Sequence, residues 1–299
     1  MKNRWLKLAA VAAAVVCTGC DCHCAEIPNT AAVIDPAVRE AAGDVAVVMT
    51  DLDSGETLYS YNAGMQMPSA STIKVLIMAE LLRRVENGEL DLNQRIPVAK
   101  EDKLLDSIIG CLDQSDYSLR DLIVMMIIES DNTATNVLID IAGFEPVNRM
   151  ASELGLENTS LQRKMLDFKA AEEGRQNYSS AADMDKIMQM IGRGELISPD
   201  ACRFMLQALN MQKDIESFKR YMPEGLIVAH KSGTLDKLEH ETGIFWVDGN
   251  DYVLTIFTQN QESNSAARDF IGQLSLDIFQ FMNGDLNSTG ENLKIDRNF

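Results

Sequence analysis

The sequence predicts an α/β plus all-α fold: an antiparallel sheet flanked by helices, with an all-helical domain inserted into the chain. Three observations predict it. Strand-patterned segments lie towards both ends of the body, at 45–61 and 225–259, almost everything from about 98 to 212 reads as helix, and 263–282 forms an amphipathic closing helix. One sheet must then be assembled from segments distant in sequence, with the helical insert packed against it. The chain has 299 residues, 46% hydrophobic and 24% charged, which suffices for a substantial core and excludes a disordered chain.

Taken in order, Asp35-Pro36 is expected to open a short helix that Gly43 closes, with proline where the first helical amide needs no partner. VAVVMT at 45–50 and TLYSY at 57–61 read as strands joined through DSG. Ser71 to Glu86 is helical and stops at Gly88; Ile73, Val75, Leu76, Ile77 and Met78 make its first half apolar nearly all round, so it is expected to be buried. Ser118 and Asp121 pattern a capping box for LIVMMII, and Gly143 ends the helix after an SDN corner. Further helical patterns cover 145–154, 180–192 and 198–210. Strands return at 225–235, 242–247 and 251–259, with a DGND turn between the last two. On the closing helix, Ala267, Phe270, Ile271, Leu274, Ile278 and Phe281 share one face. The body is thus divided into an α/β part (27–70 and 213–282) and a mainly helical part (71–212), followed by a polar tail at 283–299.

Net charge is −18; removing Lys2, Arg4 and Lys7 from the 27 basic residues leaves 24 against 45 acidic, or −21. Such a balance argues against nucleic acid and against electrostatic adhesion to anionic lipid. Residues 1–19 have the form of an export signal, a basic start and an apolar run from Leu8 to Val16 too short to span a bilayer. The CTGC that follows allows either lipidation of Cys20 or plain cleavage after Gly19. An exported protein, periplasmic or at the cell surface, is expected, with membrane attachment only through a lipid on Cys20. The CDCHC run at 20–24 lacks the two separated ligand pairs of a structural zinc site, so no metal and no cofactor is expected. Cys111 and Cys202 either pair with each other or sit as two buried small apolar residues. A monomer is expected.

Three strings carry the chemistry: STIK at 71–74, SDN at 130–132 and KSG at 231–233. Ser71 and Lys74, three apart on a helix, share a face, and the free amides at a helix start favour negative charge on a nearby oxygen. Desolvation of Lys74 lowers its pKa and fits it to act as a base towards the serine hydroxyl. Ser130 can relay a proton, Asn132 can bond a substrate amide, and Asp131 fixes the corner by capping backbone amides. Lys231 brings positive charge at a strand end, Gly233 permits close approach, and the Thr234 amide can join that of Ser71 as an oxyanion donor. Each string alone has a plainer reading: a snorkelling lysine, an Asx cap, a hairpin with a surface lysine. Together, in this order and on these elements, they read as a site for acyl transfer.

The trio resembles the signature of class A β-lactamases and penicillin-binding proteins. The resemblance runs over roughly residues 30–282 and extends to IIESDNTATNVLI and PEGLIVAHKSGT; the gaps of 59 and 101 residues between Ser71, Ser130 and Lys231 are like those of the class A enzymes. It implies an α/β sandwich domain plus an all-α domain, with Ser71 as nucleophile and Lys74 as its base. Ser130 would pass a proton to the leaving nitrogen, Asn132 would hold the acyl side chain, and Lys231, Ser232 and Thr234 would hold the substrate carboxylate. The family's deacylating glutamate falls on Met165, and its loop-closing aspartate falls near Asn177, which cannot form the expected charge pair with Arg163. Asp167, Glu172 or Glu173 could supply a base from a shifted backbone, with Asp167 preferred. No arginine precedes Gly243, and the stretch from Gly233 to Gly243 exceeds the usual turn. His240 is expected to be exposed at the cleft rim and His230 packed behind its strand. The implied partner is a small-molecule β-lactam or a peptidoglycan stem peptide. Three functions follow as candidates: β-lactam hydrolysis through an acyl-serine, a D-alanyl peptidase-like protein that deacylates slowly, and an inactive binding or sensor protein.

Overall fold

A computed structural model describes residues 29–247 and 249–284. The export-signal segment, Cys20, the CDCHC run and the tail beyond Gly284 lie outside the described residues. A five-stranded sheet contains β1 (Asp44–Asp51), β2 (Thr57–Tyr61), β3 (Val228–Leu235), β4 (Leu238–Phe245) and β5 (Tyr252–Gln259). Their order is β2-β1-β5-β4-β3, and every neighbouring pair is antiparallel. This is the sheet from distant segments that the two groups of strand patterns required.

Both faces of the sheet are covered, so β1, β4 and β5 are buried almost throughout; β1 and β5 read largely as apolar runs, whereas β4 buries the polar run Glu239 to Thr242. Val45, Val47, Leu254 and Ile256 pack with Ile34 and Val38 of α1 (Ala31–Glu40) and Ile271, Leu274 and Ile278 of α8 (Asn264–Met282). On the opposite face, Ala46, Val48, Ile244, Val253 and Phe257 join the larger core of the helical part. That part contains α2 (Lys74–Glu86), α3 (Leu119–Ile128), α4 (Asn132–Ala142), α5 (Phe144–Glu153), α6 (Ala181–Gly192) and α7 (Pro199–Asn210). Helix α2 is its axis: every residue from Lys74 to Leu82 is buried, as the all-round apolar pattern predicts. Gly88, at φ +74°, follows its end.

Several expectations change. Helix α1 starts at Ala31 and carries Pro36 inside it, because burying Ile34 on the sheet extends the helix back past the proline signal. The stretch between Gly233 and Gly243 is no long loop, since β3 and β4 pair without interruption from Val228↔Phe245 to Leu235↔Leu238 around a two-residue turn. The helical part is also broken: Arg95–Pro97 pairs with Asp116–Ser118 as a ribbon. Residues 154–180 form a loop whose one helix is the short Phe168–Glu172. Cys111 is exposed, Cys202 buried, and both are unpaired thiols, so the two do not pair and, of the alternative of two buried apolar residues, only Cys202 fits.

Candidate active site

The residue string before α2 shapes the site. Ala70–Ile73 forms a 3-10 turn ahead of the helix, so Ser71 sits in that turn and the Lys74 amide donates to the carbonyls of Ser71 and Thr72. Ala70 is held at φ +46° and Ser130 at φ +53°, positions that cost a non-glycine residue about 1–3 kcal/mol each. Strand β3 lies hard against the turn: a Cβ on Gly233 would stand 3.1 Å from both the Ser71 amide nitrogen and Ala70 Cβ. A side chain at Gly233 would thus press on the protein's own turn as well as on an approaching ligand.

A cleft of about 380 Å³ opens at this junction and is lined by Ser71, Ser130, Asn132, Ser232 and Thr234, with Glu129, Lys213 and Asp214 along its length. Behind it lie two fully buried lysines. Lys74 Nζ donates to Ser130 Oγ (3.0 Å), Ser130 O (2.8 Å) and Asn132 Oδ1 (3.0 Å). Lys231 Nζ donates to the same Ser130 Oγ (3.1 Å) and to Ser232 O (2.8 Å). One hydroxyl oxygen thus bridges two amines. Two full charges sharing one hydroxyl oxygen repel each other, which disfavours the doubly protonated pair. Burial, and then the neighbouring Lys231, hold Lys74 well below the usual lysine range. Burial also pushes Lys231 down to about 8, against the pull of Glu241 and Asp214. Both amines are thereby made easier to deprotonate than an exposed lysine, Lys74 more strongly because Lys231 adds to the effect of its burial.

The corner that presents Ser130 is fixed from below. Asp131, buried, accepts from the amides of Ala134 (2.8 Å) and Ile109 (2.9 Å), as the capping pattern predicts. Asn132 Nδ2 donates to Asp106 Oδ2 (3.0 Å), so both ends of that amide are engaged.

A second, apolar lobe of about 70 Å³ shares Ser71, Asn132 and Thr234 with the cleft and is walled by Met165, Leu166, Phe168 and Leu235. Asn136 clamps the loop here, its amide accepting from Met165 N–H (2.7 Å) and donating to Met165 O (3.1 Å). Asn177 closes the loop without charge: Oδ1 accepts from the amides of Gln162 (2.7 Å) and Arg163 (2.9 Å), and Nδ2 donates to Arg163 O (3.0 Å). Arg163 Nε turns to Gln176 Oε1 instead (2.9 Å). Asp167 is exposed, lies outside both lobe linings, and accepts from Ala170 N–H (3.0 Å) as the cap of the short helix. The backbone therefore does not deliver Asp167 into the lobe, and Glu172 and Glu173 line neither lobe.

His240 corrects the expectation of exposure. It is fully buried, stacks on Phe257 at 3.8 Å and is held neutral, its pKa lowered to about 4 by burial. Nδ1 accepts from Thr258 N–H (3.1 Å), which leaves Nε2 to donate to Pro68 O (2.9 Å). His240 thus pins the chain three residues before Ser71, a role hidden in the sequence because it depends on strand register. His230 is buried behind its strand, its Nδ1 3.0 Å from Glu241 Oε2. Glu239 was equally unforeseen: it crosses from β4 to accept the Thr234 hydroxyl (2.7 Å).

Comparison with known proteins places the fold and the family. Residues 29–282 match the model of the Beta-lactamase enzyme family. The chain is 24% identical over 249 residues to beta-lactamase BRO-1 of Moraxella catarrhalis, covering 77% of each protein. A crystal structure of a beta-lactamase from Sphaerobacter thermophilus superposes with a TM-score of 0.77 at 29% identity, covering 85% of this chain and 97% of that one. A leucine-to-glutamate mutant of PBP-A, solved as an acyl-enzyme complex with penicillin G, superposes with a TM-score of 0.75 at 24% identity, covering 85% of this chain and 97% of its own.

Proposed function

Because the chain belongs to the Beta-lactamase enzyme family, we propose that it is an exported serine hydrolase that opens the β-lactam amide bond through an acyl-serine on Ser71. The observation that carries this reading is the Ser130 hydroxyl bridged by Lys74 and Lys231 at the cleft that Ser71 lines. Neutral Lys74 takes the Ser71 proton as Oγ attacks the lactam carbonyl. The amides of Ser71 and Thr234 receive the developing oxyanion. Ser130 gives its proton to the departing nitrogen and regains one from Lys74, and Lys231 keeps that transfer favourable by its charge. Asn132 orients the acyl side chain, while Lys231 and Ser232 face the substrate carboxylate. Among the described residues no helix is long and apolar enough to cross a membrane; export rests on the leader pattern. Ser71→Ala is expected to abolish nitrocefin hydrolysis by purified protein, and unchanged hydrolysis would remove Ser71 as nucleophile.

Met165 favours a second reading, a penicillin-binding or D-alanyl peptidase-like protein whose acyl-enzyme persists. The wall where a water-activating carboxylate would stand is Met165 and Leu166, and Asp167 is occupied as a cap. Intact mass after brief penicillin exposure separates the two: rapid return to the free mass supports turnover, and a lasting adduct supports the second reading.

A further inference from the structure

Thr234, exposed on β3, lines both lobes and has its hydroxyl bonded to a buried carboxylate. Its Oγ donates to Glu239 Oε2 across the strand pair at 2.7 Å. Glu239 is 1% exposed. Its other oxygen accepts from Asn264 Nδ2 (2.8 Å) and Arg268 Nε (2.9 Å), both on α8. Asn264 is itself fixed, donating to the Leu235 and Leu238 carbonyls and accepting from the Lys237 amide. A hydroxyl has one proton. With that proton on Glu239, only lone pairs of Thr234 can point into the cleft, and withdrawing it would leave a buried carboxylate oxygen without its donor.

We propose that Glu239 is a positioning residue that locks the Thr234 hydroxyl as a hydrogen-bond acceptor, so that this edge of the cleft favours substrates offering a donor (hydroxyl, amide N–H or ammonium) over a carboxylate. The proposal rests on the acyl-serine reading and revises its family-derived expectation that Thr234 helps to hold a carboxylate. The carboxylates of Glu129 and Asp214 line the same cleft and act in the same direction, against Lys213 and the buried Lys231.

The test compares acylation by benzylpenicillin with acylation by its methyl ester, expressed as an acid-to-ester ratio of rate constants. Thr234→Val keeps the shape and removes the lone pairs; it is expected to raise the ratio about three- to tenfold. A fall, or no change, overturns the proposal, because a donating Thr234 would be missed by the acid. Glu239→Gln puts an N–H opposite Thr234 and frees its proton for the cleft; the ratio is expected to rise about tenfold. In the Thr234→Val background the same change is expected to do nothing, and an equal rise in both backgrounds overturns the proposal by making Glu239 a bulk charge effect. Should Glu239→Gln fail to fold by thermal melting, the Thr234→Val arm decides alone. Absence of any Ser71 adduct in the wild type would sink the acyl-serine reading itself, which intact mass reports separately from the ratio.

Discussion

Replacing Met165 with glutamate tests the second reading, in which this side chain stands where a base for deacylation would be needed. Met165 is 8% exposed, its backbone is clamped at both ends by Asn136, and it walls the lobe that Ser71 also lines. Methionine and glutamate have similar volumes, so the change adds a carboxylate without overpacking. The lobe, at about 70 Å³, holds a water between that carboxylate and an acyl group on Ser71, since a single water needs only about 10–15 Å³ of such space. Arg163 lines the same lobe and offers a counter-charge. Burying the new group still costs about 1–3 kcal/mol, lowering the melting temperature by several degrees. A positioned general base contributes about 10²–10⁴ in rate, so the Ser71 adduct is expected to decay about 10²–10⁴ times faster than in the wild type. The assay is intact mass against time after a penicillin pulse. A folded Met165→Glu protein whose adduct decays within tenfold of the wild type would refute the reasoning that this lobe lacks a base.

Four further outcomes follow from the same geometry. Acylation is expected to rise as Lys74 loses its proton and to fall above about pH 8, where Lys231 loses its own; a rate flat from pH 7 to 10 would contradict these roles. The linked effect on stability has one sign: both amines titrate lower folded than unfolded, so the unfolded chain binds more protons and stability gains as pH rises between the folded and unfolded values. Gly233→Ala drives a methyl into the Ser71 turn, and about 1–3 kcal/mol of stability together with most acylation is expected to be lost in melts and burst kinetics. Asp131→Ala strands the Ile109 and Ala134 amides and is expected to cost about 1–3 kcal/mol in denaturant titration.

The sequence made some of this site plain because its chemistry is local. Ser71 and Lys74 are fixed relative to each other by one helical turn, Asp131 by its cap, and Gly88 by the left-handed conformation it adopts. The meeting of Lys231 with Ser130 was legible only through motif order, since no local rule relates residues 101 apart. What stayed hidden depends on strand register and loop path. His240 looked exposed until β4 proved to pair fully with both neighbours, which buries it under the chain leading to Ser71. The Glu239 bond to Thr234 exists only because the hairpin turn is two residues long. Asp167 looked available as a base, but a short helix uses its carboxylate first, and Asn177 closes the loop by amide bonds where a charge pair was expected.

Peptide mapping of the protein quenched soon after mixing with benzylpenicillin tests the central claim most directly. One penicilloyl group is expected, carried by the peptide containing Ser71 and absent from Ser71→Ala. An adduct on another residue, or neither adduct nor penicilloic acid from folded protein, would contradict it.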